Sequence, residues 1–245
     1  MQKEDVARLV TTPLDSPAYA PTRYRFTHRE YLNIYYRTDP EALRRLVPEP
    51  LTVAEPVVRF EVMRMPDTTG LGDYTEAGQL ISVEHEGERG EFNLAMYVDS
   101  VPAISSGREL SAYPKKSGAP RLYVDSDTLV GTLDYGTLRV ATATMGYKHH
   151  ALDLDAARAE VCAPNFMLKT VPHYDGTPRI CELVRTRITD VTVHSAFTGP
   201  ARLELFGHAL APLADLPVRE VVRASHLVTD LSLNPVEPVY DYLAA

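Results

Sequence analysis

The segment Gly107-Arg-Glu-Leu-Ser-Ala-Tyr-Pro-Lys-Lys-Ser-Gly118 holds the residues best suited to chemistry. Lys115 and Lys116 stand side by side after Pro114 and before Ser117 and Gly118. Read alone, such a run is a solvated turn, because Pro, Ser and Gly favour turns and ammonium groups prefer water. The alternative reading is nucleophilic. A lysine amine condenses with a ketone to an imine, and a protonated imine accepts an electron pair far better than the parent carbonyl. If the pair lies on an extended chain, its side chains point to opposite sides and only one amine would enter a given site. Spacing alone does not choose which. A loop that tucks both amines to one side would instead make the neighbouring charge dominate.

Other candidate clusters are weaker. His149 and His150 are adjacent. On a strand they would face opposite sides and make poor joint metal ligands. Asp125 and Asp127 share a face, but Ser126 and Thr128 suggest a turn or strand end, and no other acidic cluster completes a cation site. Cys162 and Cys181 lack zinc-like spacing and read as ordinary thiols. No glycine-rich phosphate loop is present. We therefore expect neither metal nor cofactor. The net charge of −8 gives no electrostatic footprint for nucleic acid or an anionic membrane. No apolar run approaches the roughly 20 residues of a membrane helix. The opening MQKEDVARLV lacks the features of a signal peptide. These observations predict a cytoplasmic protein acting on a small molecule.

The elements that must position the lysines are mostly strands. Residues 1–22 carry three prolines and no sustained period, and read as an arm lying over the domain or a neighbouring subunit. From Tyr24 to Arg37 the pattern alternates. Tyr24, Phe26, Leu32, Ile34 and Tyr36 are expected on one face, and Arg25, Arg29, Asn33 and Arg37 on the other. Asp39 as N-cap and Pro40 at the first position predict a short helix that ends before Pro48. Strands are predicted at Val57–Met65, Thr75–Glu84 and Phe92–Val98, and across Arg121–Tyr147 with a break at Asp134-Tyr135-Gly136. A second helix is predicted at Leu154–Val161. Phe166–Val171 and Arg179–Thr189 flank an Asp-Gly turn, and Val218–Val228 is a late strand. The 245 residues, 44% of them hydrophobic, are enough for one antiparallel, all-β dominated domain with a few short helices, spanning 1–245.

Several segments together resemble the acetoacetate decarboxylase family. They are Glu109-Leu-Ser-Ala-Tyr-Pro-Lys-Lys116, Arg121-Leu-Tyr-Val-Asp-Ser-Asp-Thr128, Ala141-Thr-Ala-Thr-Met-Gly-Tyr147 and Pro172-His-Tyr-Asp-Gly-Thr-Pro-Arg-Ile-Cys-Glu-Leu183. The similarity runs from about Arg29 to about His226. It implies a curved antiparallel β-cone or barrel and a large homo-oligomer, up to a dodecamer. It also implies conversion of acetoacetate to acetone and carbon dioxide through a Schiff base on the first lysine of the pair, Lys115, with Lys116 beside it. The family's nearby arginine and two glutamates match Arg29 in Thr27-His-Arg-Glu-Tyr31, Glu61, and Glu76 in Gly72-Asp-Tyr-Thr-Glu-Ala-Gly-Gln79. Read alone, these three have ordinary explanations: Arg29 packs its stem on tyrosines, Glu61 pairs with Arg59 at the surface, and Glu76 is an exposed strand carboxylate. A same-fold enzyme doing aldol and dehydration chemistry on another keto acid is the alternative activity.

Only the free amine can attack a ketone. An ordinary lysine, with a pKa of about 10.4, is neutral about once in 2,500 at pH 7. The acetoacetate decarboxylase lysine is itself the standing example of an amine activated by an apolar pocket or a neighbouring cation. If the two lysines diverge, their repulsion is about 1.7 kcal/mol at about 10 Å and an effective dielectric near 20. Burial can contribute about 3–5 pKa units and is expected to dominate.

Overall fold

Alternating apolar residues, rich in β-branched and aromatic side chains, give a molecule built largely of strands. The computed structural model describes residues 1–244. Helix α1 (Lys3–Val6) lies in the N-terminal arm, and strand β1 (Arg25–Arg37) leads into helix α2 (Pro40–Leu46). Three long strands follow: β2 (Thr52–Thr68), β3 (Gly72–His85) and β4 (Glu88–Val98). Helix α3 (Val101–Glu109) precedes β5 (Lys115–Ser117), β6 (Ala119–Asp125), β7 (Thr128–Tyr135) and β8 (Leu138–Gly146). Then come β9 (His150–Ala151), helix α4 (Leu154–Val161), β10 (Asn165–Pro172), β11 (Pro178–Thr186), β12 (Ile188–Thr198) and β13 (Ala201–Leu205). Strands β14 (Glu220–Leu233) and β15 (Glu237–Asp241) complete the order. Among the described residues no helix is long and apolar enough to cross a membrane.

The strands form two sheets. The larger has eleven strands in the order β15-β11-β10-β4-β3-β2-β1-β14-β12-β9, with β5 also paired to β4. It is curved but keeps two free edges, so it does not close into a barrel. Pairing is antiparallel except where β4 meets β10 and β5 in parallel, a departure from the all-antiparallel expectation. The smaller sheet, β13-β8-β7-β6, covers one face of the larger. Leu32, Ile34, Phe60, Val62 and Ile81 of the large sheet pack there in one core with Leu133, Val140, Met145 and Leu203. The opposite face buries Tyr31, Met63, Met96 and Leu227 against Ala103 of α3 and Ala157 and Val161 of α4.

Strand β1 serves both faces because it is bulged. His28 has φ of 53°, and the register against β14 shifts between Phe26 and Arg29. One extra residue there reverses the alternation. Tyr24 and Phe26 therefore lie with Tyr31 on the helix side, while Leu32, Ile34 and Tyr36 lie on the small-sheet side. This corrects the single apolar face expected from strict period two, and it turns Arg29 towards the same side as Phe26.

Asp39 caps α2 as expected, its side chain accepting from Glu41 N at 2.9 Å. Helix α4 spans the predicted residues and is capped by Asp153. Helix α3 was not expected: its sequence VPAISSGRE is small and polar, with no apolar stripe to betray it. The predicted strand Arg179–Thr189 divides at Arg187 between β11 and β12. His149 and His150 do not point apart. Lys148 turns the chain with φ of 46°, and the two rings meet edge to face with centroids 4.3 Å apart.

Candidate active site

A row of register partners crosses the large sheet. Lys115 on β5 is opposite Met96 on β4, which is opposite Gly78 on β3, then Glu61 on β2, then Asn33 on β1. Side chains directly opposite one another project from the same face. Glu76 lies two residues before Gly78, and Arg29 four before Asn33, so both share that face. The structure thus brings Lys115, Glu76, Glu61 and Arg29 to one cavity of about 60 Å³ beneath α3 and α4. That is room for about four waters, the size of a small keto acid. Lys116 is not brought there. Opposite Tyr97, it faces the small sheet, donates to Leu210 O at 2.7 Å and lies 5.0 Å from the centroid of the Tyr135 ring.

Lys115 is 7% exposed and its Nζ donates to the Glu76 carboxylate. The rings of Tyr113 and Tyr74 stand 5.6 and 5.7 Å from Nζ. Helix α3 presses Gly107 against the lysine. A Cβ there would sit 2.7 Å from Cδ and 2.8 Å from Cε, so the absent side chain is what lets Lys115 lie under the helix. Arg108 Nη1 donates to Lys115 O at 3.2 Å and fixes the backbone.

Arg29 holds its guanidinium 4.8 Å from the Tyr31 ring and 5.0 Å from the Phe26 ring. Its Nε is buried without a hydrogen-bond partner, and its Nη2 touches only the Met63 sulfur, at 2.7 Å. Burial opposes this charge, but Tyr31, Glu76 and Glu61 outweigh it and raise the pKa above the usual arginine value. Arg29 is therefore a firm cation that makes no ion pair among the described residues. Glu76 and Glu61 are 2% and 3% exposed, not surface carboxylates. Burial pushes Glu61 above the usual carboxylate range, with Arg59 and Arg29 offsetting part of the rise. Its pairing with Arg59 is present, Nη2 to Oε2 at 3.3 Å, but inside the protein. Burial also raises Tyr31, Tyr74 and Tyr113, so these phenols stay neutral.

Arg59, Tyr74, Gly107 and Tyr113 also line the cavity and escaped the sequence reading. The only sign of Arg59 was its place two residues from Glu61 on one strand face.

A buried amine, an adjacent carboxylate and an unpaired guanidinium, enclosed on a curved sheet, define a site for imine chemistry on a small anionic ketone. The comparisons agree with that class. The acetoacetate decarboxylase family model matches residues 9–243. The chain is 69% identical to an acetoacetate decarboxylase of Streptomyces nogalater over 244 residues, covering 100% of both. It superposes on a solved acetoacetate decarboxylase with a TM-score of 0.98 at 61% identity, covering 100% of both chains. On the acetoacetate decarboxylase of Legionella pneumophila the TM-score is 0.93 at 46% identity, covering 95% of this chain and 93% of that one. The chain belongs to the acetoacetate decarboxylase family.

Proposed function

We propose that this protein converts acetoacetate to acetone and carbon dioxide through an imine on Lys115. The observation that carries the reading is a buried lysine sharing a small cavity with an unpaired arginine. The free amine attacks the ketone carbon, and loss of water leaves the protonated imine. The bond to the carboxylate then breaks. Its electron pair moves into the iminium, giving an enamine and carbon dioxide. Protonation of the enamine carbon and hydrolysis release acetone and restore the amine.

Each wall of the cavity suits one part of this sequence. Glu76, in contact with Nζ, takes the ammonium proton and returns protons to nitrogen as the imine forms and breaks. Arg29, whose guanidinium makes no ion pair among the described residues and whose Nε has no hydrogen-bond partner, receives the substrate carboxylate. Glu61 lies on the next strand and opposes negative charge nearby, favouring departure of the carboxylate as neutral carbon dioxide. The tyrosine rings keep water from the amine.

The test is to incubate the protein with acetoacetate, reduce with borohydride and map the modified peptide. One substrate-derived group per subunit on Lys115, with activity abolished, is the expected result. Label on Lys116, or none during turnover, defeats the mechanism. Pyruvate-dependent aldol products without acetone would favour the alternative activity.

The same reading includes one domain over 1–245, a homo-oligomer of up to twelve subunits and a cytoplasmic setting. The arm supports oligomerisation, since Val6, Leu9, Val10 and Leu14 are exposed apolar side chains that a partner subunit would cover. Sedimentation velocity decides this, and a monomer at micromolar concentration excludes it. Two free cysteines and an acidic surface accord with the cytoplasm.

A further inference from the structure

Behind the catalytic cavity, Arg59 is shared by two carboxylates. The same Nη2 lies 3.3 Å from Glu61 Oε2 and 2.7 Å from Glu91 Oε2. Arg59 lines the catalytic cavity and also a second one of about 280 Å³, bounded by Glu91, Glu160 and Arg223 on the side away from Lys115. Glu91 is not among the residues lining the catalytic cavity, and its ion pair there is with Arg59.

The charges around Glu91 do not balance locally. Arg59 and Glu61 face it from β2, Tyr35 from β1, Glu160 from α4 and Arg223 from β14. Glu55 of β2 and Arg89 of β4 sit at the rim of the second cavity, and Ser82 of β3 and Asn165 of β10 adjoin it without charge. Glu160 is already satisfied. It pairs with Arg223 at 2.5 Å and accepts from Ser225 at 2.6 Å and from Asn33 at 2.7 Å. Arg59 is thus left with two carboxylates for one positive charge, and Glu91 Oε2 is buried with no well-directed hydrogen bond.

We infer that Glu91 is a positioning residue for the decarboxylation: by competing with Glu61 for Arg59, it sets how much negative charge Glu61 turns towards the substrate carboxylate. When Glu91 carries a proton, Arg59 is left wholly to Glu61. When Glu91 is ionised, Arg59 is divided and Glu61 repels the substrate more strongly. Burial first, and then Glu61 and Glu160, against the opposing pull of Arg59 and Arg223, push Glu91 up to about 7. The change therefore falls near neutral pH. The second cavity adjoins Glu91 and offers its proton a route to solvent that does not pass through the catalytic cavity.

This inference rests on the decarboxylase reading. The test measures KM for acetoacetate in full-length protein, wild type and E91Q, from about pH 6 to about pH 8. Imine formation with acetylacetone, a ligand without a carboxylate, is followed in parallel. Wild-type KM should rise about tenfold over this range, and E91Q should hold the change to about threefold, as expected for one nearby charge. Acetylacetone should bind with the same pH dependence in both proteins. An unchanged KM slope in E91Q overturns the inference, as does an equal loss of slope for acetylacetone, which would place the effect at the lysine. If E91Q does not fold, E91D keeps the charge but withdraws it by one methylene. A folded E91D with an unshifted KM inflection overturns the inference equally. Absence of acetone from the wild type sinks the decarboxylase reading itself, whereas acetone production with an unaltered E91Q slope sinks the Glu91 role alone.

Discussion

Arg29 keeps its charge against two aromatic rings and makes no ion pair among the described residues. Leaving a buried cation unpaired is costly, and a ligand carboxylate relieves that cost. Replacing Arg29 by Gln removes a charge-assisted contact of about 1.5–3 kcal/mol. Arg29→Gln should therefore lower kcat/KM for acetoacetate by about 10- to 100-fold. Imine formation with acetylacetone, which has no carboxylate, should change by less than about threefold. Equal losses for both ligands would mean that Arg29 acts on the lysine or on the fold. Lys116 stands in contrast. It follows Lys115 directly in the chain, yet its ammonium is held by Leu210 O on the far face of the sheet. The divergence expected of an extended pair is what the structure has: Lys115 is buried against Glu76, and Lys116 is exposed on the opposite side of the sheet.

Among the elements, helix α3 and the bulge in β1 matter most for the site, and neither was legible in the sequence. The helix hides in small polar residues, and its role depends on Gly107. Replacing Gly107 by Ala suits a helix by about 1 kcal/mol in the abstract. Here the new methyl would fall 2.7 Å from Lys115 Cδ. Gly107→Ala should keep the fold, with Tm within a few degrees of wild type, and lower kcat by at least about tenfold, because displacing the nucleophile by even about 1 Å is expensive. Unchanged kcat would mean that the lysine moves aside freely. The bulge at His28 escaped notice because a single left-handed histidine leaves no trace in hydrophobic pattern. The long strands and the caps of α2 and α4 were legible because they depend on local periodicity and local hydrogen bonds. Glu61 and Arg59 looked like a surface pair because burial depends on what other strands and helices bring over them. The choice of Lys115, Arg29, Glu61 and Glu76 rests on resemblance across whole segments, not on spacing.

Taken whole, the molecule is one curved sheet with a hydrophobic sheet on one side and a reactive cavity on the other. The row through Lys115, Met96, Gly78, Glu61 and Asn33 links five strands, and its ends lie more than eighty residues apart in the chain. Each pairing along the row joins strands consecutive in the chain, and the row is complete only when β5 docks in parallel beside β4. A chain still leaving the ribosome has Arg29, Glu61 and Glu76 before Lys115 has been made. Until β5 docks beside β4, the Lys115 amine lacks the Glu76 carboxylate and the Tyr74 and Tyr113 rings that surround it in the folded chain. The reactive group is therefore assembled only by completion of the sheet: a half-made copy carries the lysine without the carboxylate and arginine that the reaction needs beside it.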